Sequence, residues 1–133
     1  MTHEGGCYCG AIRYRLEGLP TSSNFCHCRM CQRLSGAPVV SWVTFSNSHV
    51  TFLKGDPKWF RSSNIATRAF CPNCGTHLLW RADRGGNEVD ITTASLDDPN
   101  SFRPKEHIWT ESQLDWMNID DQLPRYRRTK SEG

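Results

Sequence analysis

The chain lacks a long apolar run. Nowhere do about 18 apolar residues follow one another, so the sequence offers no helix that crosses a membrane. The N-terminus, Met1-Thr2-His3-Glu4-Gly5-Gly6, has no basic segment followed by an apolar one, so no secretory leader is read there and a cytoplasmic location is expected. An excess of one charge is also missing. Sixteen Lys and Arg against 14 Asp and Glu leave a net charge of +2, too small to imply nucleic acid or an anionic membrane as partner. There is no internal repeat, no phosphate-cradling glycine loop and no Ser-His-Asp array. Gly5-Gly6 and Gly85-Gly86 read as turn glycines. With 133 residues and 37% apolar composition, a single domain (1–133) with a modest core is expected, one that metal cross-links would help to hold.

Cysteine is what the chain has in quantity. Seven thiols stand at positions 7, 9, 26, 28, 31, 71 and 74. An odd number cannot be consumed by disulfides alone, and a reducing compartment keeps thiols free, so metal binding is the favoured use. The alternative for any one of them is inert burial.

Short segments of β character recur between turns. Ile12, Tyr14 and Leu16 alternate with Arg13 and Arg15, the pattern of a half-buried strand. Val39 to Phe45 is β-branched and aromatic without a breaker and reads as a buried strand. Further strands are expected at Val50–Leu53, Lys58–Arg61, Ala66–Phe70, Thr76–Trp80, Glu88–Thr93 and Glu106–Thr110. Met30–Leu34 suits one helical turn, and Glu111–Asn118 a short helix with Leu114 and Met117 on one face. From Asp120 onward the chain is polar. Arg125, Arg127, Arg128 and Lys130 give it a basic end, and residues 120–133 are expected to form a loosely ordered tail. The class is all-β or mainly β.

Cys71-Pro72-Asn73-Cys74-Gly75 places two sulfurs across a tight turn, where both can reach one ion at about 2.3 Å. Cys7-Tyr8-Cys9 lies among Gly5, Gly6 and Gly10. Along a straight strand such sulfurs stand roughly 6.6 Å apart, whereas two zinc-bound sulfurs need roughly 3.7 Å. The pair therefore requires a bend, which the glycines permit. Joining Cys7 and Cys9 to Cys71 and Cys74 gives four thiolates, a closed structural site. Cys26, Cys28 and Cys31 then remain, and three ligands with a fourth position open is the count of a catalytic zinc. Three thiolates around a divalent zinc leave a net charge of −1. Such a centre is a poor activator of water but accepts another soft ligand, a thiol, and holds it as nucleophilic thiolate. Spacing leaves other groupings open. Cys28 and Cys31 could join Cys71 and Cys74, or His3, His49, His77 or His107 could complete a second structural site. An iron–sulfur cluster would require a similar regrouping. His27, between two candidate ligands, is expected to point away from the ion and to act in a supporting role, with general acid as a further candidate role. Arg29, Arg33, Arg61 and Arg68 could each hold a carboxylate, although solvated surface arginine is the plainer reading. The five tryptophans read as core or rim packing.

The ordered set Cys-Tyr-Cys-Gly (7–10), Cys-His-Cys-Arg-Met-Cys-Gln (26–32), Ser-Gly-Ala-Pro (35–38) and Phe-Cys-Pro-Asn-Cys-Gly (70–75) resembles the glutathione-dependent formaldehyde-activating enzymes, a family that also contains centromere protein V. The resemblance runs from Gly6 to about Tyr126 and includes all seven cysteines and the stretch Trp116…Asp121-Gln122-Leu123-Pro124. It implies coiled antiparallel sheets meeting around zinc sites, the Mss4-like fold. It also implies a structural zinc on Cys7, Cys9, Cys71 and Cys74, and a catalytic zinc on Cys26, Cys28 and Cys31; an exposed zinc on only three thiolates is expected to be labile. The implied activity is that of a carbon–sulfur lyase: glutathione plus formaldehyde giving S-hydroxymethylglutathione, and the reverse. Family members carry extra sequence before the first cysteine pair, and substrate contacts from such a segment are not expected here. Because the Mss4-like fold also hosts protein-binding members, the alternative is a non-catalytic zinc-stabilised binding module. Chromatin or nucleic-acid binding through the basic tail is a weaker alternative.

Overall fold

A computed structural model describes residues 1–132. Ten strands and one helix follow one another: β1 (Thr2–Gly6), β2 (Arg13–Glu17), β3 (Ser22–Cys26), α1 (Arg29–Ser35), β4 (Val40–Ser46), β5 (Val50–Lys54), β6 (Lys58–Arg61), β7 (Ala66–Phe70), β8 (His77–Ala82), β9 (Glu88–Thr92) and β10 (His107–Ile108). Among the described residues they form a three-stranded sheet, β1-β2-β5, and a seven-stranded sheet, β10-β3-β4-β9-β8-β7-β6. The fold is therefore mainly β, as expected. All pairings are antiparallel except that of β10 with β3, which is parallel.

The register gives the large sheet two different faces, because successive side chains of a strand point to opposite sides. Val43, Ile91, Leu79 and Ala69 stand side by side across β4, β9, β8 and β7. They belong to the main core, together with Ile12, Tyr14 and Leu16 from the small sheet. The alternation seen in residues 11–16 thus has its cause: Tyr14 and Leu16 are fully buried while their Arg neighbours are half-buried. On the opposite face Thr44, Asp90, Trp80 and Arg68 stand in one row, with Asn24, Trp42 and Cys26 on the same side. A second, smaller cluster forms there around Cys26, Cys31, Val40 and Trp42.

Two expectations near the C-terminus are corrected. The stretch 111–118 does not form a helix; Thr110–Ser112 makes one 3-10 turn and the chain then continues through turns. Eight residues with one apolar pair on the face, Leu114 and Met117, and an exposed Trp116 cannot offset the cost of helix nucleation. Residues 124–128 of the tail are docked rather than loose, paired with residues 107–111. His107 N–H donates to the Pro124 carbonyl (2.8 Å), Tyr126 N–H to His107 (2.8 Å), Trp109 N–H to Arg128 (2.7 Å) and Glu111 N–H to Arg127 (3.1 Å). Composition reports only the charged side chains of such a segment; its main-chain groups still need partners, and β10 supplies them. No helix among the described residues is long and apolar enough to cross a membrane.

Candidate metal centres and the cavity beside them

The first thiol cluster gathers Cys7, Cys9, Cys71 and Cys74, with the four sulfurs within 4.8 Å of one another. It lies where the turn after β1 meets the turn between β7 and β8. Both turns depend on glycine. Gly75 has a φ of 82°, in the left-handed region, and a side chain on Gly6 would run into the Ile12 carbonyl. Cys7 and Cys9 bend toward each other to 3.6 Å, and Cys9 lies 3.8 Å from Cys71. These separations match the roughly 3.7 Å edge of a tetrahedron with Zn–S near 2.3 Å, so the thiols present fit a zinc ion. Donors surround the sulfurs. Ile12 N–H reaches Cys7 Sγ (3.2 Å), Asn73 Nδ2 reaches Cys9 Sγ (3.2 Å), Cys74 N–H reaches Cys71 Sγ (3.4 Å), and Thr76 Oγ1 lies 3.2 Å from Cys74 Sγ. The Thr76 hydroxyl and amide lower the Cys74 thiol to about 5, and Asn73 lowers Cys9.

The second cluster gathers Cys26, Cys28 and Cys31 under the same distance limit. The end of β3 presents Cys26 on the site face, Cys28 caps the N-terminus of α1, and Cys31 sits in its first turn. Cys31 Sγ lies 3.4 Å from Cys26 Sγ, and Cys28 Sγ accepts from Cys31 N–H at 3.3 Å. Cys26 and Cys31 hold Cys28 as a thiolate, down to about 2, and this in turn pushes the Cys26 thiol up. No histidine joins either cluster among the described residues, and the mixed grouping of Cys28 and Cys31 with Cys71 and Cys74 does not occur.

One cation lies against the second cluster, and the surface reading of it is corrected. Arg68 is only 2% exposed. Both its terminal nitrogens lie 3.6 Å from Cys31 Sγ, and its guanidinium stands 5.9 Å from the Trp42 ring centre. Its Nε has no partner, and no carboxylate pairs with it among the described residues. A buried charge is costly unless compensated; here the compensation is the negative thiol cluster.

Beneath the cysteine loop, His27 is fully buried and turned away from the thiols. Its Nε2 lies 2.9 Å from His107 Nδ1, and His107 Nε2 lies 2.8 Å from Asp121 Oδ2. With the Asp121 carboxylate accepting from His107 Nε2–H, His107 Nδ1 is left as acceptor and His27 Nε2–H as donor. Burial, and then the neighbouring His107, lower His27 to about 4, so it is neutral at pH 7. Gln32 Nε2 clamps the loop through the His27 carbonyl (2.7 Å) and the Ser112 carbonyl (3.2 Å). This His-His-Asp chain comes from three separate segments. Sequence spacing gives no sign of it beyond the two histidines themselves.

The three thiols open onto a cavity of about 550 Å³. Trp42, Trp80, Trp109 and Ile108 form much of its wall; Asn24, Arg68 and Asp90 come to it from the sheet, and Arg29, Ser63, Ser112 and Thr129 are its other polar residues. Trp109 holds a left-handed backbone (φ 57°) at the rim. The cavity is mainly apolar with a few convergent polar groups, the usual composition of a small-molecule site.

A mainly β domain with two thiol clusters, each able to hold a metal ion, is the class these features define. The family model described as glutathione-dependent formaldehyde-activating enzyme matches residues 2–112, and the chain belongs to that family. A Halomonas elongata protein named putative glutathione-dependent formaldehyde-activating enzyme is 28% identical over 132 residues, covering 90% of this chain and 82% of the relative. An uncharacterized lyase of Schizosaccharomyces pombe is 31% identical over 89 residues, covering 67% of this chain and 64% of the relative. A crystal structure of a Rhodobacter sphaeroides protein, a structural genomics target, superposes with a TM-score of 0.59 at 19% identity, covering 92% of this chain and 98% of that one. This last likeness concerns the fold alone.

Proposed function

We propose that the chain is a zinc-dependent carbon–sulfur lyase that joins the thiol of glutathione, or a related thiol, to an aldehyde carbon and cleaves the adduct in reverse. Family membership supports the class, with formaldehyde as the first aldehyde to test. Cys7, Cys9, Cys71 and Cys74 would hold a structural zinc and Cys26, Cys28 and Cys31 a catalytic one. Zinc on the three thiols would supply a position for a fourth sulfur and would favour its thiolate form. The single observation that carries the reading is the three-thiol cluster on the wall of the cavity with unpaired Arg68 against it.

The chain's own residues divide the remaining work. Arg68 offsets the negative charge that a fourth sulfur adds beside Cys31. Trp42, Trp80 and Trp109 exclude water from the sulfur and the carbon, which strengthens electrostatic contacts inside the cavity. His107 and Asp121 fix the ring of His27 and with it the backbone between Cys26 and Cys28. His27 is spent on this chain of hydrogen bonds and serves as a positioning residue.

X-ray absorption at the zinc edge, with and without glutathione, tests the assignment. Two zinc ions per chain are expected, and the average sulfur count per zinc rises from about 3.5 toward 4 on adding glutathione. Two zinc ions that already hold four protein ligands each, with no sulfur gained, would overturn it in favour of a binding module.

A further inference from the structure

Asp90 lines the same cavity as the three thiols. Its position follows from the sheet register. Asp90 on β9 stands beside Trp80 on β8 and Thr44 on β4, and Arg68 is next beyond Trp80 in the same row. Cys26, Asn24 and Trp42 occupy that face as well. One oxygen, Oδ1, is held by the Thr44 hydroxyl at 2.6 Å. No protein hydrogen bond holds Oδ2 among the described residues, and Asp90 forms no ion pair.

Addition of a thiolate to an aldehyde leaves one group unprovided for. The carbon–sulfur bond forms as the carbonyl π pair moves to oxygen, and that oxygen needs a proton. His27 cannot give it, being buried behind the loop and committed to His107. The arginine does not lose its proton. The thiols are the metal-binding groups of the proposal.

We propose that Asp90 is the general acid and base of the reaction, carrying one proton between the substrate thiol and the aldehyde oxygen; this rests on the lyase reading given above. The Asp90 carboxylate takes the proton of the incoming glutathione thiol. The resulting thiolate attacks the aldehyde carbon, and the Asp90 carboxylic acid returns the same proton to the oxygen, forming the hydroxyl of the adduct. One thiol and one aldehyde are consumed, one hydroxymethyl thioether is formed, and the carboxylate is restored. Neither oxidant nor external acid enters. In reverse, the carboxylate removes the hydroxyl proton as the carbon–sulfur bond breaks.

A carrier of this kind works best when its affinity for the proton lies near the working pH. Burial pushes the Asp90 carboxyl up to about 6, against the opposing hydrogen bond from Thr44. Glu88 on its own strand raises it further and Arg68 on β7 lowers it; across the cavity the end of β3, the loop before α1 and α1 itself add Cys26, Cys28, Arg29 and Cys31. From β4 and β8 it meets Thr44 and Trp80, which do not titrate in this range.

The test uses the full-length zinc-loaded protein with glutathione and formaldehyde, following adduct exchange by NMR together with zinc-edge absorption. Asp90→Asn is expected to keep both zinc ions and the added sulfur, and to lose about 100-fold or more in exchange rate. The acidic limb of the wild-type rate profile, with an apparent pKa near 6, should vanish with it. Asp90→Ala should regain rate with added formate, which a merely structural role would not produce. In carboxyl-labelled wild type, the Asp90 ¹³C resonance should shift when adduct is present. Exchange by Asp90→Asn within about threefold of wild type, with the limb intact, overturns the role of Asp90 and leaves the lyase reading standing. Failure of wild type itself to gain a sulfur or to exchange adduct overturns both.

Discussion

The two thiol clusters use the same ligand atom in different surroundings. At the four-thiol cluster, turn amides, an Asn side chain and a Thr hydroxyl point at the sulfurs, and each lies close by in one of the two turns that carry the cysteines. At the three-thiol cluster only one backbone amide among the described residues, that of Cys31, does so, and the compensating charge comes from Arg68, 37 residues further along the chain. The first site draws its hydrogen-bond donors locally and joins β1 to the β7–β8 turn. The second is left short of donors, faces a cavity and depends on a residue from the sheet. A cluster with four sulfurs and its own amides is built to remain closed. Under the proposed function, a cluster with three sulfurs and one borrowed cation would accept a further negative ligand.

The largest effect should come from breaking the closed site. Cys71→Ser is expected to drop the zinc content from two to one per chain. Structural zinc sites contribute on the order of 10 kcal/mol of apparent binding free energy, so the melting temperature should fall by more than about 10 °C. Calorimetry with metal analysis reads both, and an unchanged melting point would show that this cluster is not structural. Cys28→Ser should do the opposite. Thiol-dependent exchange is expected to drop at least about 100-fold, roughly 2.7 kcal/mol in the barrier, while the melting temperature moves by only about 5 °C or less. Equal stability losses in the two variants would erase the distinction between the clusters.

The sheet side of the open site has a signature in the dependence of stability on pH. Folding raises the Asp90 carboxyl from 3.8 to about 6, so folding disfavours its ionised form. The contribution of the neutral carboxyl is complete below about pH 4 and is lost as pH rises through about 6. Asp90→Asn should therefore gain stability relative to wild type across that window, by at most roughly 3 kcal/mol at pH 8. Urea titrations at pH 4.5 and pH 8 measure the difference, and no change with pH would place the carboxyl in a more solvated setting. Arg68→Met should weaken glutathione binding about tenfold, roughly 1.4 kcal/mol, and should also lower stability, because the thiol cluster loses the buried cation that compensates it. Arg68→Lys should recover part of the binding, and calorimetric titration distinguishes the two. The smallest effect is expected from Asp121→Asn, which leaves His107 without its carboxylate. A zinc affinity of the three-thiol cluster lowered a few-fold, read by competition with a chelator, would separate positioning from direct ligation.

Much of the two clusters was legible in the chain because their thiols come in local groups, although the joining of Cys7 and Cys9 to Cys71 and Cys74 spans 62 residues and is a tertiary contact. Cys71 and Cys74 lie in one turn, Cys26, Cys28 and Cys31 within six residues, and Cys7 and Cys9 between glycines that allow a bend. A short spacing fixes the distance between sulfurs almost without regard to the rest of the molecule. Strand alternation was equally local, and Ile12, Tyr14 and Leu16 lie inside as their pattern required. What only the tertiary structure decided are the contacts between distant segments. Sequence allows Arg68 to be a surface residue, Asp90 to be an ordinary strand carboxylate and Asp121 to sit in a free tail. The register of β7, β8, β9 and β4 turns Arg68 and Asp90 toward the cavity, and the docking of residues 124–128 on the β10 region carries Asp121 to His107. The physical reason is the same in each case. A metal ligand set close in sequence is constrained by covalent geometry, whereas the charge and proton partners of that set are chosen by which strands pair, and pairing is settled by burial of the opposite face.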